Sequence, residues 1–237
     1  MRPYLKSLTA LPLVVALAAC GAANAESEAE TSAIETAAET VETAMMDTET
    51  PSLNLPAGTY ITDLGHSSIL WKVNHLGLTD YTARFNDFEA ILEIDPNNPE
   101  GASLSVTIDP TSVATGYPFT DRTDFDAKVS SDERLLNSNA FPNIAFNSTD
   151  VTLTSGTTAD VTGDLTMLGV TVPLTLDVTF NGALEKHPFS GRPMLGFTAT
   201  GTLDRTDFGM TYLSGSAVGD DVQIVVQAEM GTDPAAE

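Results

Sequence analysis

Between Asp160 and Phe180 apolar and polar residues change places at almost every step. Val161, Gly163, Leu165 and Met167 alternate with Thr162, Asp164 and Thr166. After Leu168-Gly169, Val172, Leu174, Leu176, Val178 and Phe180 alternate with Thr171, Pro173, Thr175, Asp177 and Thr179. A period of two gives a strand one apolar and one polar face. Two such runs joined by a short glycine turn predict a β-hairpin. Pro173 falls on the polar face near the start of its run, where a missing N–H costs least. Threonine fills the outward positions because its branched side chain suits a strand and its hydroxyl suits water. Whatever the protein binds is expected to meet the apolar face.

The same period recurs across residues 58–230. Ile69, Trp71, Val73 and His75 share one face, as do Tyr81, Ala83 and Phe85. A bulge at Asn86-Asp87 is expected to carry that face on through Phe88, Ala90, Leu92 and Ile94. Further runs are Leu104 to Ile108, Ile144-Phe146, Phe197 to Leu203 and Val222 to Ala228. Turn signals separate them at Asp95-Pro96-Asn97-Asn98, Ser155-Gly156, Asn181-Gly182, Ser190-Gly191 and Ser214-Gly215. About eight short strands with one apolar face predict an antiparallel barrel or sandwich. Thr120 to Asn139 breaks the period. Phe125, Val129, Leu135 and Leu136 fit a short helix ending before Phe141-Pro142, a crossover or lid over one end of the sheet.

Composition changes the picture at the N-terminus. Arg2 and Lys6 precede an apolar run from Leu8 to Ala19 that is too short to span a bilayer, so residues 1–20 read as a targeting segment. Its ending, Leu17-Ala18-Ala19-Cys20, resembles a bacterial lipobox, in which the cysteine is lipidated. Ala23-Asn24-Ala25 offers a rival site for ordinary signal peptidase. Cys20 is the only cysteine of the chain, and ending the apolar run is its one evident use. By resemblance to lipoproteins, Gly21 in place of an aspartate after the cysteine favours the outer membrane, with a soluble periplasmic form as the alternative. Residues 21–57 carry eight acidic residues, no Lys or Arg and no aromatics. Such a stretch buries too little to offset its ordering entropy and reads as a disordered acidic tether. Residues 231–237 read as a tail. The net charge of −23 excludes a nucleic-acid partner, which needs basic surface, and beyond Cys20 no thiol or disulfide is available.

The body resembles the YceI-like family of periplasmic polyisoprenoid-binding proteins. The resemblance rests on GTYITDLGHSSILWKVNHLGL at 58–78, VTIDPTSVATG at 106–116, FPNIAFNST at 141–149, VTGDLTMLGVTVPLTLDVTF at 161–180 and RTDFGMTY at 205–212. It implies an all-β fold: a lipocalin-like eight-stranded antiparallel β-barrel with a short helical crossover and an apolar interior for a long isoprenoid chain. Leu135-Leu136 stand where the family usually carries paired aromatics.

Other motifs weaken on inspection. His75 shares the face of Trp71 and Val73. It is expected to be buried and hydrogen-bonded, or to meet a ligand head group. His66 follows Gly65 and is expected to fasten a turn. His187 is assigned no role. Asp207-Phe208-Gly209 spells a kinase motif with no other kinase element present. Here Gly209 is expected to end a strand and Phe208 to cap an apolar patch. Asp121, Asp124 and Asp126 lack the glycine and distant glutamate of a calcium loop, and read as solvated helix N-terminal charge. There is no Gly-x-Ser-x-Gly elbow and no metal-ligand cluster, so no enzyme class is indicated.

Two functions follow. One is a carrier, with Trp71, Val73, His75, Phe85, Phe88, Leu165, Met167, Leu174, Leu176, Phe180 and Phe197 lining a site for an isoprenoid quinone, polyprenyl lipid or fatty lipid. It would serve storage, transport or stress protection at the envelope, anchored through Cys20 and able to pair as a homodimer. The other is an envelope interaction protein whose barrel is a solid core. A diphosphate head group would need a base such as Arg84 at the mouth.

Overall fold

A computed structural model of the chain describes residues 54–233. The targeting segment, Cys20, most of the acidic tether and residues 234–237 lie outside the described residues. The strands are β1 (Gly58–Thr62), β2 (Ser68–His75), β3 (Thr79–Phe85), β4 (Phe88–Ile94), β5 (Ser103–Ile108) and β6 (Val113–Ala114), then β7 (Ile144–Leu153), β8 (Thr158–Met167), β9 (Val170–Leu184), β10 (Met194–Asp204) and β11 (Val218–Thr232). One helix, α1 (Phe125–Ser131), lies between β6 and β7.

Eight strands close into an antiparallel ring in the order β1-β4-β5-β7-β8-β9-β10-β11, with β11 pairing back to β1. The ring is the eight-stranded barrel that the resemblance implies, and its closure decides between the barrel and the sandwich that the alternation allows. The other three strands, β2-β3-β6, branch from β11. The long β11 serves both. Its last residues pair with β1, from Met230↔Thr62 to Thr232↔Tyr60, and Val218 and Val222 to Gln227 pair with β2. β1 and β2 thus follow each other along one edge of β11. Where the chain passes between them, Asp63 N–H donates to the Glu229 carbonyl (2.8 Å) and Glu229 N–H to Ser67 Oγ (3.0 Å). His66 fastens this turn through a 2.9 Å contact between Nδ1 and Asp63 Oδ2. Mutual attraction raises the His66 pKa and lowers that of Asp63.

The central hairpin forms as the alternation predicts, with β8 and β9 in register from Thr158↔Thr179 to Met167↔Val170. Leu168 and Gly169 both have positive φ, 54° and 76°, as a two-residue turn between twisted strands requires. Gly169 also takes the ring of Phe141 at its Cα, where a Cβ would lie 2.8 Å from Phe141 Cε1.

Three local expectations are corrected. Asn86-Asp87 is not a bulge in one strand. There the chain changes partners, from β2 and β6 on one side to β1 and β5 on the other, although the apolar face does continue. Asn181-Gly182 is not a turn. It lies inside β9 as a bulge against β10, with Gly182 at φ 145° and Asn181 Nδ2 donating to Thr198 Oγ1. The pairing partner, not the dipeptide, decides this point. Gly209 ends a 3-10 turn, Arg205–Phe208, rather than a strand, while Phe208 is buried as expected.

Helix α1 is capped by Asp124, which accepts from Ala127 N–H, and Asp126 ties it to β6 by accepting from the Thr115 backbone N–H and hydroxyl. Val129 and Leu136 bury against the barrel. We refer to this as the helix end and to the opposite end, where the β4–β5, β7–β8 and β9–β10 connections lie, as the far end. The far end has its own apolar cluster of Leu55, Tyr60, Ala90, Leu92, Leu195 and Met230. Leu55 packs there three residues before the predicted start of the body, and the Tyr60 hydroxyl donates to the Pro56 carbonyl (2.8 Å).

Candidate ligand-binding cavity

The inward faces of these strands do not meet across the barrel. They enclose a cavity of about 630 Å³, inside the roughly 300–1,000 Å³ range of small-molecule sites. Packed cores hold few voids larger than a water molecule, so this space is not a packing defect.

All eleven residues nominated from the sequence border it. Phe85, Phe88, Leu165, Met167, Leu174 and Leu176 are buried within its wall, whereas Trp71, Val73, Phe180 and Phe197 are half-buried and face the void. Neighbours of complementary size set these positions. Trp71 lies opposite Ala83 on β3, and Phe146 leans over Gly163, where no Cβ obstructs the ring. Leu176 reaches over Gly201 in the same way, and Phe180 and Phe197, register partners, hold their rings 5.7 Å apart.

His75 is corrected. It lies on the cavity face but is exposed at the rim, and its ring makes no hydrogen bond among the described residues, because β2 ends there. Arg84 points outward and does not face the mouth. His187, assigned no role, accepts from Ser190 N–H at Nδ1 (3.2 Å) and places Nε2 3.7 Å from Glu229, organising the β9–β10 loop.

Sequence reasoning missed several bordering residues. Ile224 and Val226 on β11 carried the alternation and could have been nominated from it. Phe125, Lys128, Leu135 and Leu136 come from the helical segment, and Tyr81 and Tyr212 from the rim. No periodic signal points to Tyr212.

Polar groups are sparse and asymmetrically placed. Among the described residues no Asp or Glu borders the cavity, despite a chain charge of −23. The cations at its border are Lys128 and Arg205. Arg205 is 3% exposed and committed to structure. Its guanidinium donates to the carbonyls of Met210, Tyr212, Val218 and Gly219 and to Asp220, fixing the β10–β11 loop. Among the described residues Lys128 is in no ion pair, and its ammonium lies 6.0 Å from the centre of the Phe125 ring. The Arg134 guanidinium grips Asp132 with two bonds (2.9 and 2.7 Å) and stacks 3.9 Å over Tyr212, joining the helical segment to the β10–β11 loop. This pairing holds the Asp132 carboxyl far below the usual carboxylate range. No group of three or more His, Cys, Asp or Glu is placed to hold a metal among the described residues. The arrangement can take up an apolar chain of some width. It offers no nucleophile–base pair along its wall.

Comparison with known proteins agrees with this geometry. The family model for the YceI-like domain matches residues 60–230. A UPF0312 protein of Pseudomonas putida (strain F1) is 38% identical over 145 residues, covering 61% of this chain and 71% of the relative. One from Ectopseudomonas mendocina is 34% identical over 164 residues, 69% of this chain and 81% of the relative. Among solved structures, Burkholderia cenocepacia BcnA superposes with a TM-score of 0.60 at 23% identity, over 71% of this chain and 98% of its own. The Campylobacter jejuni YceI protein gives 0.56 at 24%, over 68% and 91%. A polyisoprenoid-binding domain from Saccharophagus degradans gives 0.50 at 12%, over 75% and 100%. At these identities the structures speak to the fold. With the match spanning nearly all of the described residues, the chain belongs to the YceI-like domain family.

Proposed function

We propose that the protein binds one long-chain isoprenoid, or a related amphiphilic lipid, in the barrel interior and acts as a carrier or store at the bacterial envelope. The observation that carries this reading is the cavity itself: about 630 Å³ bordered by apolar side chains and by no carboxylate. Moving an apolar chain from water into such a space is favourable by roughly 0.8 kcal/mol per buried CH₂. The Saccharophagus degradans neighbour, described as polyisoprenoid-binding, supports the same ligand class. A solid-core interaction protein is the weaker reading, since its interior would be close-packed. Lys128 at the border favours a head group with an acceptor oxygen, such as a quinone carbonyl.

Anchoring through a lipidated Cys20 belongs to the same proposal, with residues 21–53 as the tether. Fractionation of cells expressing Cys20→Ser tests it. The variant should leave the membrane fraction or stay unprocessed, and an unchanged distribution would point to cleavage at Ala25. The binding itself is tested by extracting the purified protein with organic solvent and identifying released lipid by mass spectrometry. A stoichiometric isoprenoid supports the carrier. An empty protein with no saturable uptake of isoprenoid quinone sinks it.

A further inference from the structure

Among the described residues four non-glycine residues have positive φ: Asn137, and the leucines Leu76, Leu168 and Leu213. Asparagine tolerates this conformation, whereas a bulky aliphatic residue there is an outlier. All three leucines stand at the helix end. Leu168 packs against the core, which accounts for it. Leu76 and Leu213 are exposed. Leu76 occupies the first position of the three-residue β2–β3 turn, at φ 59° before Gly77 at 69°, where turn chemistry favours Asn or Asp. Strain of this kind, kept where no packing needs it, points to use.

Their surroundings name the use. Leu78, just after Leu76, is 82% exposed. The Leu76 and Leu213 loops are clamped together, with Leu76 N–H donating to the Ala217 carbonyl (2.9 Å) and Ala217 N–H to the Leu213 carbonyl (3.1 Å). Leu213 borders the cavity, as do His75 and Lys128. From the cavity wall an aromatic series leads outward: Tyr81 to Phe125 (6.1 Å), Phe125 to Tyr117 (5.1 Å), Tyr117 to the exposed Phe119 (5.6 Å). Two cations in no ion pair among the described residues lie on this series, Arg122 at 4.7 Å from the Phe119 ring centre and Lys128 over Phe125. Exposed apolar residues at the helix end, with Leu213 among them at the cavity border and guanidinium and ammonium groups nearby, fit acyl chains below and phosphates above. The exposed Phe189 at the far end stands apart, stacked on His187.

We propose that Leu76, Leu78, Leu213 and Phe119 form a surface that docks on a phospholipid bilayer, so that the cavity mouth opens against the membrane and lipid passes without crossing water. This rests on the carrier reading. With a chain charge of −23, a second copy of the protein is a poorer occupant than a bilayer of zero net charge.

The test compares the full chain with the same chain carrying Leu76→Asn and Leu78→Asn. Asparagine relieves the left-handed position, so the thermal midpoint should hold or rise. Two uptakes are measured: a fluorescent isoprenoid from phosphatidylcholine vesicles, and a water-soluble short-tailed analogue from free solution. For the parent, the rate from vesicles should climb with vesicle concentration. In the variant it should fall about tenfold or more, with uptake of the soluble analogue unchanged. Equal vesicle rates in the two chains overturn the docking surface while leaving the carrier standing. If neither chain takes up the soluble analogue, the carrier reading fails and the docking surface with it. Sedimentation of both chains completes the test: a parent dimer converted to monomer by the substitutions would make the rim a contact between copies and overturn bilayer docking.

Discussion

At the far end of the barrel Tyr60 is 0% exposed and packs in one cluster with Leu55, both off the cavity, while Leu195 and Met230 of the same cluster carry the packing on to its border. Along the middle wall Trp71, Val178 and Ile224 sit on equivalent inward faces and border a void. The alternation of apolar and polar residues is the same in both places. What differs is the strand alongside. At the far end β1 lies between β4 and β11, so the ring is complete and Tyr60 meets opposing side chains. Toward the helix end β2 takes the place of β1 beside β11, followed by β3 and the two-residue β6, and a seven-residue helix lies at the β6 margin. An inward apolar face becomes a plug or a cavity wall according to how far away the opposite face is.

The contrast breaks most readily at its packed half. Tyr60→Ala removes a wholly buried ring and its hydrogen bond to Pro56, and should cost about 3–5 kcal/mol in a denaturant unfolding series. A loss below about 1 kcal/mol would mean that the far end is not packed.

A smaller effect is expected in the wall where the sheet itself is tight. A Cβ at Gly163 would press on the Phe146 ring and the Asn147 carbonyl. Gly163→Ala should therefore cost about 1–3 kcal/mol through overpacking, also read from unfolding.

The wall facing the void should behave in the opposite sense. Val178 is half-buried and has Ala159 and Ala199 as register partners. Val178→Trp should find room and shift stability by less than about 1.5 kcal/mol, while occupying space that the lipid tail needs. The paired measurement is thermal midpoint of the delipidated protein and uptake of a fluorescent isoprenoid. Retained midpoint with lost uptake sharpens the contrast, and a large fall in midpoint removes it. Leu176 would be a poorer probe, since it already packs over Gly201.

The smallest effect concerns the turn that joins the two regions. Pairing raises the His66 pKa above its ordinary 6.5, so this contribution is full below that value and fades as pH rises through the folded pKa. Asp63 is lowered below 3.8, so its part is full above that value and fades as pH falls through the folded pKa. The pair should support the turn most between about pH 4 and 6.5. Both groups are solvent-exposed, so the change should be slight. Asp63→Asn should flatten it in a stability–pH profile, and an unaltered profile would show that the turn holds without the ion pair.

Much of this was legible in the chain. A period of two is a local property, so the strands, the inward face and the central hairpin followed from residue order alone. The eleven nominated residues reached the cavity for the same reason. Local signals failed where a partner distant in sequence decides. Asn181-Gly182 carries turn chemistry, yet β10 continues to pair with it and makes it a bulge. His75 has the periodicity of an inward residue, yet its strand ends at the rim. Tyr212 and Lys128 reach the mouth from segments with no strand period, held there by Arg134 and by the helix. The sequence by itself determined which side chains face inward, because facing depends on neighbours one and two residues away. Only the tertiary structure decided which of them pack and which line a cavity, because that depends on the distance to the opposite wall, set by strand pairings between residues far apart in the chain.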